Sequence, residues 1–301
     1  TLGKPMVEGS SQSYIWPPPA RDIRLSIHVP ASIITVEHGI VKKTLVIGLV
    51  ARASAIFRVD RIALYRDPGS TTSDLELIRK ILEYISAPPY LRKRLFRIDR
   101  DLKAVGMLPP LATASHPTEE DIEIDHIRPA IVTKAVGNRI CIDPGLDGEI
   151  CIKIERGIRL KVGEIIYVRT SRGGRIEGVA GVDEIKKTYW GYRVDMYNSL
   201  RASIETSRGE LHIVATKKGS HRVEDLWKRI KSDGIGISLI FGSPEKDPDE
   251  IALEEGWNLD DIPHIKFNSA PLQGVRSIRT YEAIYITLAV INSIIYRIKQ
   301  I

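Results

Sequence analysis

The feature that most restricts the fold is a change of rhythm along the chain. Up to about residue 100, and again from about residue 186, strand-length apolar runs alternate with segments whose apolar residues recur at helical spacing. Between them, residues 127–182 hold short apolar runs cut by turn residues, with no helical period. Alternating strands and helices imply a sheet covered by helices. About five short strands in a row imply a small barrel, of which the five-stranded oligonucleotide-binding type is the commonest. The sequence therefore predicts an α/β domain over residues 21–100 and 186–301, interrupted by an all-β insert at 101–185. Residues 1–20, which end in Pro17-Pro18-Pro19, read as a tail.

Within the α/β part, Ile23, Leu25, Ile27 and Val29 alternate with Asp22, Arg24, Ser26 and His28, a strand pattern. Residues 41–57 read as a helix apolar on most sides, and so buried. Residues 59–65 form a second strand. A helix follows, with Ser73 and Glu76 at capping-box spacing and Leu75, Ile78, Ile81, Leu82 and Ile85 on one face. In the second part, 190–194, 211–216, 237–241 and 265–267 read as strands and 222–232 as a helix. A last long helix begins at about Thr280, with a stripe of Ile284, Leu288, Ile291, Ile295 and Ile298. Thr280 is the expected N-cap, and Glu282 in the first turn suits the helix dipole.

The insert runs are 127–136, 138–143, 149–155, 165–170 and 175–183, with Gly137-Asn138, Pro144-Gly145 and Gly173-Gly174 among the turns. Cys141 and Cys151 flank one such turn. They could face each other across a hairpin, but the expectation is two buried free thiols in an intracellular, cytoplasmic protein. The longest apolar run, residues 45–51, is far short of the ~20 residues of a spanning helix. The opening residues lack the pattern of a signal peptide.

Charge points outward to a partner. Lys and Arg number 44 against 38 Asp and Glu, a net +6 that favours a polyanion such as nucleic acid. Lys153, Arg156, Arg159, Lys161, Arg169, Arg172 and Arg175 crowd into the insert and would line a positive groove. Arg92, Lys93, Arg94, Arg97 and Arg100 extend the basic run. No Walker A loop, GxGxxG turn, HExxH, paired CxxC or GxSxG is present, so no metal site is expected. The late strands instead end in small and polar residues: 216–220, 242–244 and 268–274. Ligands bind beyond such ends in open α/β sheets, although strand–helix loops need Gly, Ser and Pro in any case. Arg276 and Arg279 precede the last helix, where they oppose its dipole. Holding a phosphate or an RNA backbone suits them better than a stabilising role.

These residues carry a resemblance. Residues 106–111 (GMLPPL), 189–192 (YWGY), Phe241-Gly242, Asn268 and above all 274–284 (GVRSIRTYEAI) resemble the archaeal and eukaryotic RNA methyltransferases of the SPOUT class, which are associated with N3 methylation of uridine in large-subunit ribosomal RNA. The resemblance spans about residues 22–300. It implies a trefoil-knotted α/β domain, one of the rare exceptions to unknotted chains, with an inserted oligonucleotide-binding barrel. It implies a homodimer and S-adenosylmethionine held by three loops: Thr216 and Lys218 in the first, Gly242 in the second, and Asn268, Gln273, Gly274 and Ile278 in the third. Lys218 stands where relatives carry Arg, and Val275 replaces a small polar residue. Catalysis would be positioning plus charge stabilisation, with Arg276 first and Arg279 second as the stabilising cation. A non-catalytic RNA-binding protein of ribosome assembly on the same scaffold stays open, as does another target of the same cofactor.

Overall fold

The computed structural model describes residues 14–118, 121, 125–146, 148–155, 159–220, 222–233 and 236–298. The chain begins with β1 (Leu25–Pro30), α1 (Ile40–Ile56), β2 (Arg61–Tyr65), α2 (Thr72–Ser86) and the single turn α3 (Arg92–Leu95). Five strands follow: β3 (His126–Val136), β4 (Arg139–Asp143), β5 (Ile150–Lys153), β6 (Ile165–Ser171) and β7 (Arg175–Val179). After the short α4 (Val182–Ile185) come β8 (Arg193–Tyr197), α5 (Leu200–Glu205), β9 (Leu211–Ser220), α6 (Val223–Asp233), β10 (Ile237–Ile240), α7 (Pro248–Glu254), β11 (Ile265–Phe267) and α8 (Thr280–Ile298).

Six strands form one parallel sheet in the order β11-β9-β10-β1-β2-β8. Parallel neighbours need crossover connections, and the helices that make them cover both faces. On one face α1, α2, α6 and α8 bury Ile47, Ile78, Leu226, Ile284, Leu288 and Ile291. On the other, α5 and α7 bury Leu200, Ile204 and Ile251 against Tyr65, Val214 and Ile240. The alternation in β1 does not mark a wet face, because all six of its residues are buried. Its polar members are absorbed instead: the His28 ring lies between Ser203 Oγ at 3.0 Å and Ser238 Oγ at 3.2 Å.

Three local expectations are corrected. The capping box of α2 is Thr71 with Asp74, since Thr71 Oγ1 accepts from the Asp74 N–H and the Asp74 carboxylate accepts from the Thr71 N–H. Glu76 pairs with Arg79 instead. Helix α1 is not buried all round: Val41, Leu45, Leu49 and Ile56 lie on an exposed face. Cys141 and Cys151 sit directly opposite each other in β4 and β5 and are disulfide-bonded, rather than buried free thiols. Strand period two explains this pairing. Ile140 and Ile142 take the inner face, so the intervening cysteine and its partner turn outward.

The other sheet is antiparallel, in the order β5-β4-β3-β6-β7. The first half of β3 pairs with β6 and the second half with β4, so the sheet curls around β3. Alternate residues (Ala130, Val132, Ile140, Ile142, Ile166 and Val168) close a core of their own. The architecture is mixed α/β with a barrel-like β unit. Tyr90, which follows α2, donates to the Pro129 carbonyl at 2.8 Å, and Arg128 stacks on its ring at 4.5 Å. Arg94 pairs with Asp143 at 2.6 Å. These contacts join the two sheets.

The segment leading into the β unit is anchored by His116, buried with Nδ1 3.0 Å from Thr113 Oγ1 and Nε2 3.0 Å from the Ile85 carbonyl. Burial lowers its pKa from 6.5 to about 4. The unfolded chain therefore binds a proton between those values that the folded chain does not, so stability falls as pH drops through that window, by up to ~3 kcal/mol for this residue. Melting temperatures should drop by roughly 5 °C or more between pH 7 and pH 4.5, and His116→Gln should drop less over the same interval.

Candidate functional site

The carboxyl ends of β9, β10 and β11 enclose a cavity of about 280 Å³. Its walls follow from two tight backbone approaches. Strand β9 runs past the sheet to Ser220, where it meets Phe267 after a register shift in β11. Gly219 makes that approach possible, since a Cβ there would lie 2.5 Å from the Phe267 nitrogen. At the end of β10, Gly242 turns into the loop 243–247, and a Cβ there would strike the Lys246 carbonyl oxygen. The loop is closed by Ser243 N–H donating to Lys246 O at 2.9 Å and Lys246 N–H donating to Ser243 Oγ at 2.9 Å.

The third wall is the segment from Asn268 to α8. The Asn268 N–H donates to Ser220 O at 2.7 Å, its Nδ2 donates to Lys217 O at 3.2 Å, and its Oδ1 accepts from the Ala270 N–H at 3.0 Å. One side chain thus holds the first and third loops together. The Gln273 amide donates to the Val275 carbonyl at 2.9 Å and shapes the turn before Arg276. The Thr280 hydroxyl is not a helix cap: it donates to Gly242 O at 3.1 Å and ties the start of α8 to the end of β10. Glu282 does the local work, accepting from the Arg279 N–H at 2.8 Å.

Of the residues expected around a cofactor, Thr216, Lys218, Gly242, Asn268, Gln273 and Ile278 all line this cavity, and so does Arg276. Gly274 does not, and a Cβ there would meet nothing within 4 Å. Arg279 does not either; it pairs with Glu37 at 3.5 Å, before α1. Arg276 is exposed, and its guanidinium has no hydrogen bond or ion pair among the described residues. Two carboxylates are additions to the expected set. Asp247 accepts from Thr216 Oγ1 at 3.3 Å and pairs with Lys218 Nζ at 3.3 Å, while Glu250 lies 3.7 Å from the same ammonium. The hydrogen bond to Asp247 raises the Lys218 pKa and keeps the side chain charged. The Asp247-Pro248-Asp249-Glu250 run carries the capping-box pattern of a helix start, a local signal that says nothing of its place in the cavity, which depends on where the loops meet.

The basic residues of the β unit stay apart from this cavity. Lys153, Arg159, Lys161, Arg172 and Arg175 are exposed, Arg169 is half-buried and paired with Glu184 at 2.7 Å, and Arg156 lies outside the described residues. Among the described residues, the one group with metal-ligand proximity is Cys141, Glu149 and Cys151, and its cysteines are bonded to each other. No helix among the described residues is long and apolar enough to cross a membrane.

Residues 24–291 match the family described as "Putative RNA methyltransferase". The chain belongs to this family. Among its relatives is an uncharacterised protein of Haloarcula marismortui, 27% identical over 87% of this chain and 96% of its own length. A Drosophila melanogaster protein named 28S rRNA (uridine-N(3))-methyltransferase is 29% identical over 89% of this chain and 61% of its own length. The human protein of the same name is 28% identical over 90% of this chain and 78% of its own length. As a member of this family the chain is an RNA methyltransferase, and the cavity at the ends of β9 to β11 is its candidate active site.

That site depends on the Gly242 turn. Gly242→Ala should destabilise the protein by about 1–3 kcal/mol, read as a lower denaturation midpoint, because the added methyl meets backbone rather than a movable side chain.

Proposed function

We propose that this protein transfers a methyl group from S-adenosylmethionine to N3 of a uridine in large-subunit ribosomal RNA, acting as a SPOUT-class homodimer in the cytoplasm. The observation that carries this reading is the convergence of three strand-end loops and Arg276 on one cavity. The names of the Drosophila and human relatives support the target. A knotted path is supported by α8, which reaches back to Gly242 and packs across both α1 and α6. Residues 101–185 are read as an inserted oligonucleotide-binding barrel, which fits the curl of the antiparallel sheet about β3.

The residues present fit the cofactor. Ala215, Gly242, Ser269, Ala270 and Ala283 keep the cavity walls close to backbone, so a flat heterocycle can approach peptide N–H and C=O groups. Ile278 and Ile286 supply apolar surface beside them. Thr216, Asn268 and Gln273 would hold it at the polar edges, and Asp247 and Glu250 suit a cationic ligand. When bound, S-adenosylmethionine supplies an electrophilic methyl group.

The protein's own part is positioning and charge. The uridine N3 becomes nucleophilic as its proton passes to solvent water, and the negative charge left behind spreads onto the neighbouring carbonyl oxygens until N3 takes the methyl group. The unpaired Arg276 guanidinium at the cavity stabilises that charge, as a preorganised cation does in a developing anion site. Arg279, paired with Glu37, orients the start of α8 rather than meeting substrate. The exposed stripe Val41, Leu45 and Leu49 on α1, at i, i+4 and i+8, is the apolar face we assign to the second copy.

Three measurements test this reading. Incubation with methyl-labelled S-adenosylmethionine and unmodified large-subunit ribosomal RNA should yield labelled 3-methyluridine after digestion. Arg276→Ala should cut the rate about 100-fold or more while the cofactor still raises the melting temperature; a rate unchanged by the substitution removes the role of Arg276. Sedimentation should show a dimer that Leu45→Glu converts to monomer, and a monomeric wild type would refute the assembly.

A further inference from the structure

A second cavity, about 570 Å³, opens where the antiparallel sheet meets the α/β body. Four aromatic residues line it: Phe96 from the segment after α3, Tyr167 from β6, and Trp190 and Tyr192 from the turn before β8. The YWGY run at 189–192 is thus not part of the methyl-transfer cavity. Its outer tyrosines are anchors, with Tyr189 Oη donating to Val59 O at 3.0 Å and Tyr192 Oη to Leu82 O at 3.2 Å. Between them Trp190 is pinned by Nε1 donating to Ile185 O at 2.9 Å, and its ring sits 4.5 Å from that of Tyr167. The Tyr167 hydroxyl makes no hydrogen bond among the described residues.

One cation lines the cavity, and four more are close in sequence to its lining residues. Arg193 lines the cavity and is largely exposed beside Asp195. Lys93 and Arg97 flank the Leu95-Phe96 wall, and Lys186 and Lys187 precede Trp190; all four are exposed. The carboxylates in the wall are already engaged: Asp60 accepts from the Leu25 N–H at 2.7 Å, and Glu83 pairs with Arg79 at 2.6 Å. Immobilised rings with Arg193 beside them form a stacking platform for an unpaired base, and the exposed cations nearby in sequence suit its phosphates.

We propose that this junction cavity binds an unpaired nucleobase of the RNA substrate, at a position separate from the nucleotide that is methylated. The inference rests on the RNA-methyltransferase reading for its ligand class but not for its location. The cavity lies at the amino end of β8, at one edge of the sheet, whereas the methyl-transfer cavity lies at the carboxyl ends of β9 to β11, at the other. Three to five strand spacings separate them, about 14–24 Å across the sheet. The site thus anchors a second point on the RNA, which a single-base pocket cannot do, and the rigid joint through Tyr90, Arg128 and Arg94 fixes that point relative to the body.

The test uses the full chain and a fluorescein-labelled single-stranded RNA of mixed sequence at fixed salt. Tyr167→Ala should weaken binding about ten-fold, and Tyr167→Phe should retain wild-type affinity, both with S-adenosylmethionine still raising the melting temperature. Photo-crosslinking of the wild type to the same RNA carrying 4-thiouridine should label peptides containing Tyr167 or Trp190, which decides the matter even if Tyr167→Ala fails to fold. Affinity unchanged within two-fold in Tyr167→Ala, or crosslinks confined to the outer β-unit residues such as Lys153 and Lys161, would overturn the proposal. Failure here leaves labelled 3-methyluridine intact, whereas failure of the methyl-transfer reading leaves this crosslink intact, so the two are told apart.

Discussion

The hydrogen bond from the Thr280 hydroxyl to the Gly242 carbonyl is the contact on which the candidate active site depends. Asn268 already joins the first and third loops and Asp247 the first and second; this bond adds the tie between the second loop and the start of α8. With it, the last helix starts against the end of a strand near the middle of the sheet, and the segment 268–279 must pass over the cavity to get there. Asn268 then bridges the first and third loops, and Arg276 arrives at the cavity without a protein counter-ion among the described residues. A buried apolar stripe on α8 supplies the force that holds this arrangement, since Ile284, Leu288 and Ile291 pack into the main core.

The carboxylate–ammonium group formed by Asp247, Glu250 and Lys218 gives the cavity a polar side that is already paired. These groups are exposed enough that their pairing adds little to stability. Their effect is directional: Lys218 is held against the second loop, whereas Arg276 lines the cavity with no counter-ion among the described residues. At the junction cavity Asp60 and Glu83 are likewise engaged within the protein, and Arg193 pairs with Asp195.

Much of the fold was legible because burial imposes periodicity. The stripes of α2 and α8, the five short strands of the antiparallel sheet, and the strand ends at 216, 242 and 268 all carry local signals of period or turn chemistry. Helix α1 misled because a helix apolar on most sides implies burial, whereas one apolar stripe of it stays uncovered within the single chain. The capping box of α2 fell two residues earlier than expected because two overlapping spacings compete, and Asp74 completes the one at Thr71. For the cysteines, sequence left both a facing pair and free thiols open. Only the register of β4 against β5 settles which one forms.

Local chemistry therefore set the element types, the order of the two units, and the small and polar residues at the strand ends. It also marked Arg276 and Arg279 as a pair, alike in charge and three positions apart. Tertiary structure separated them, sending one to the cavity and the other to Glu37. It likewise brought Asp247 to Thr216, two residues thirty-one positions apart with no shared pattern. Periodicity records which face of an element is buried, because that is a property of neighbours along the chain. It carries no record of which distant loop lies across from it, because that depends on how the crossovers stack the strands.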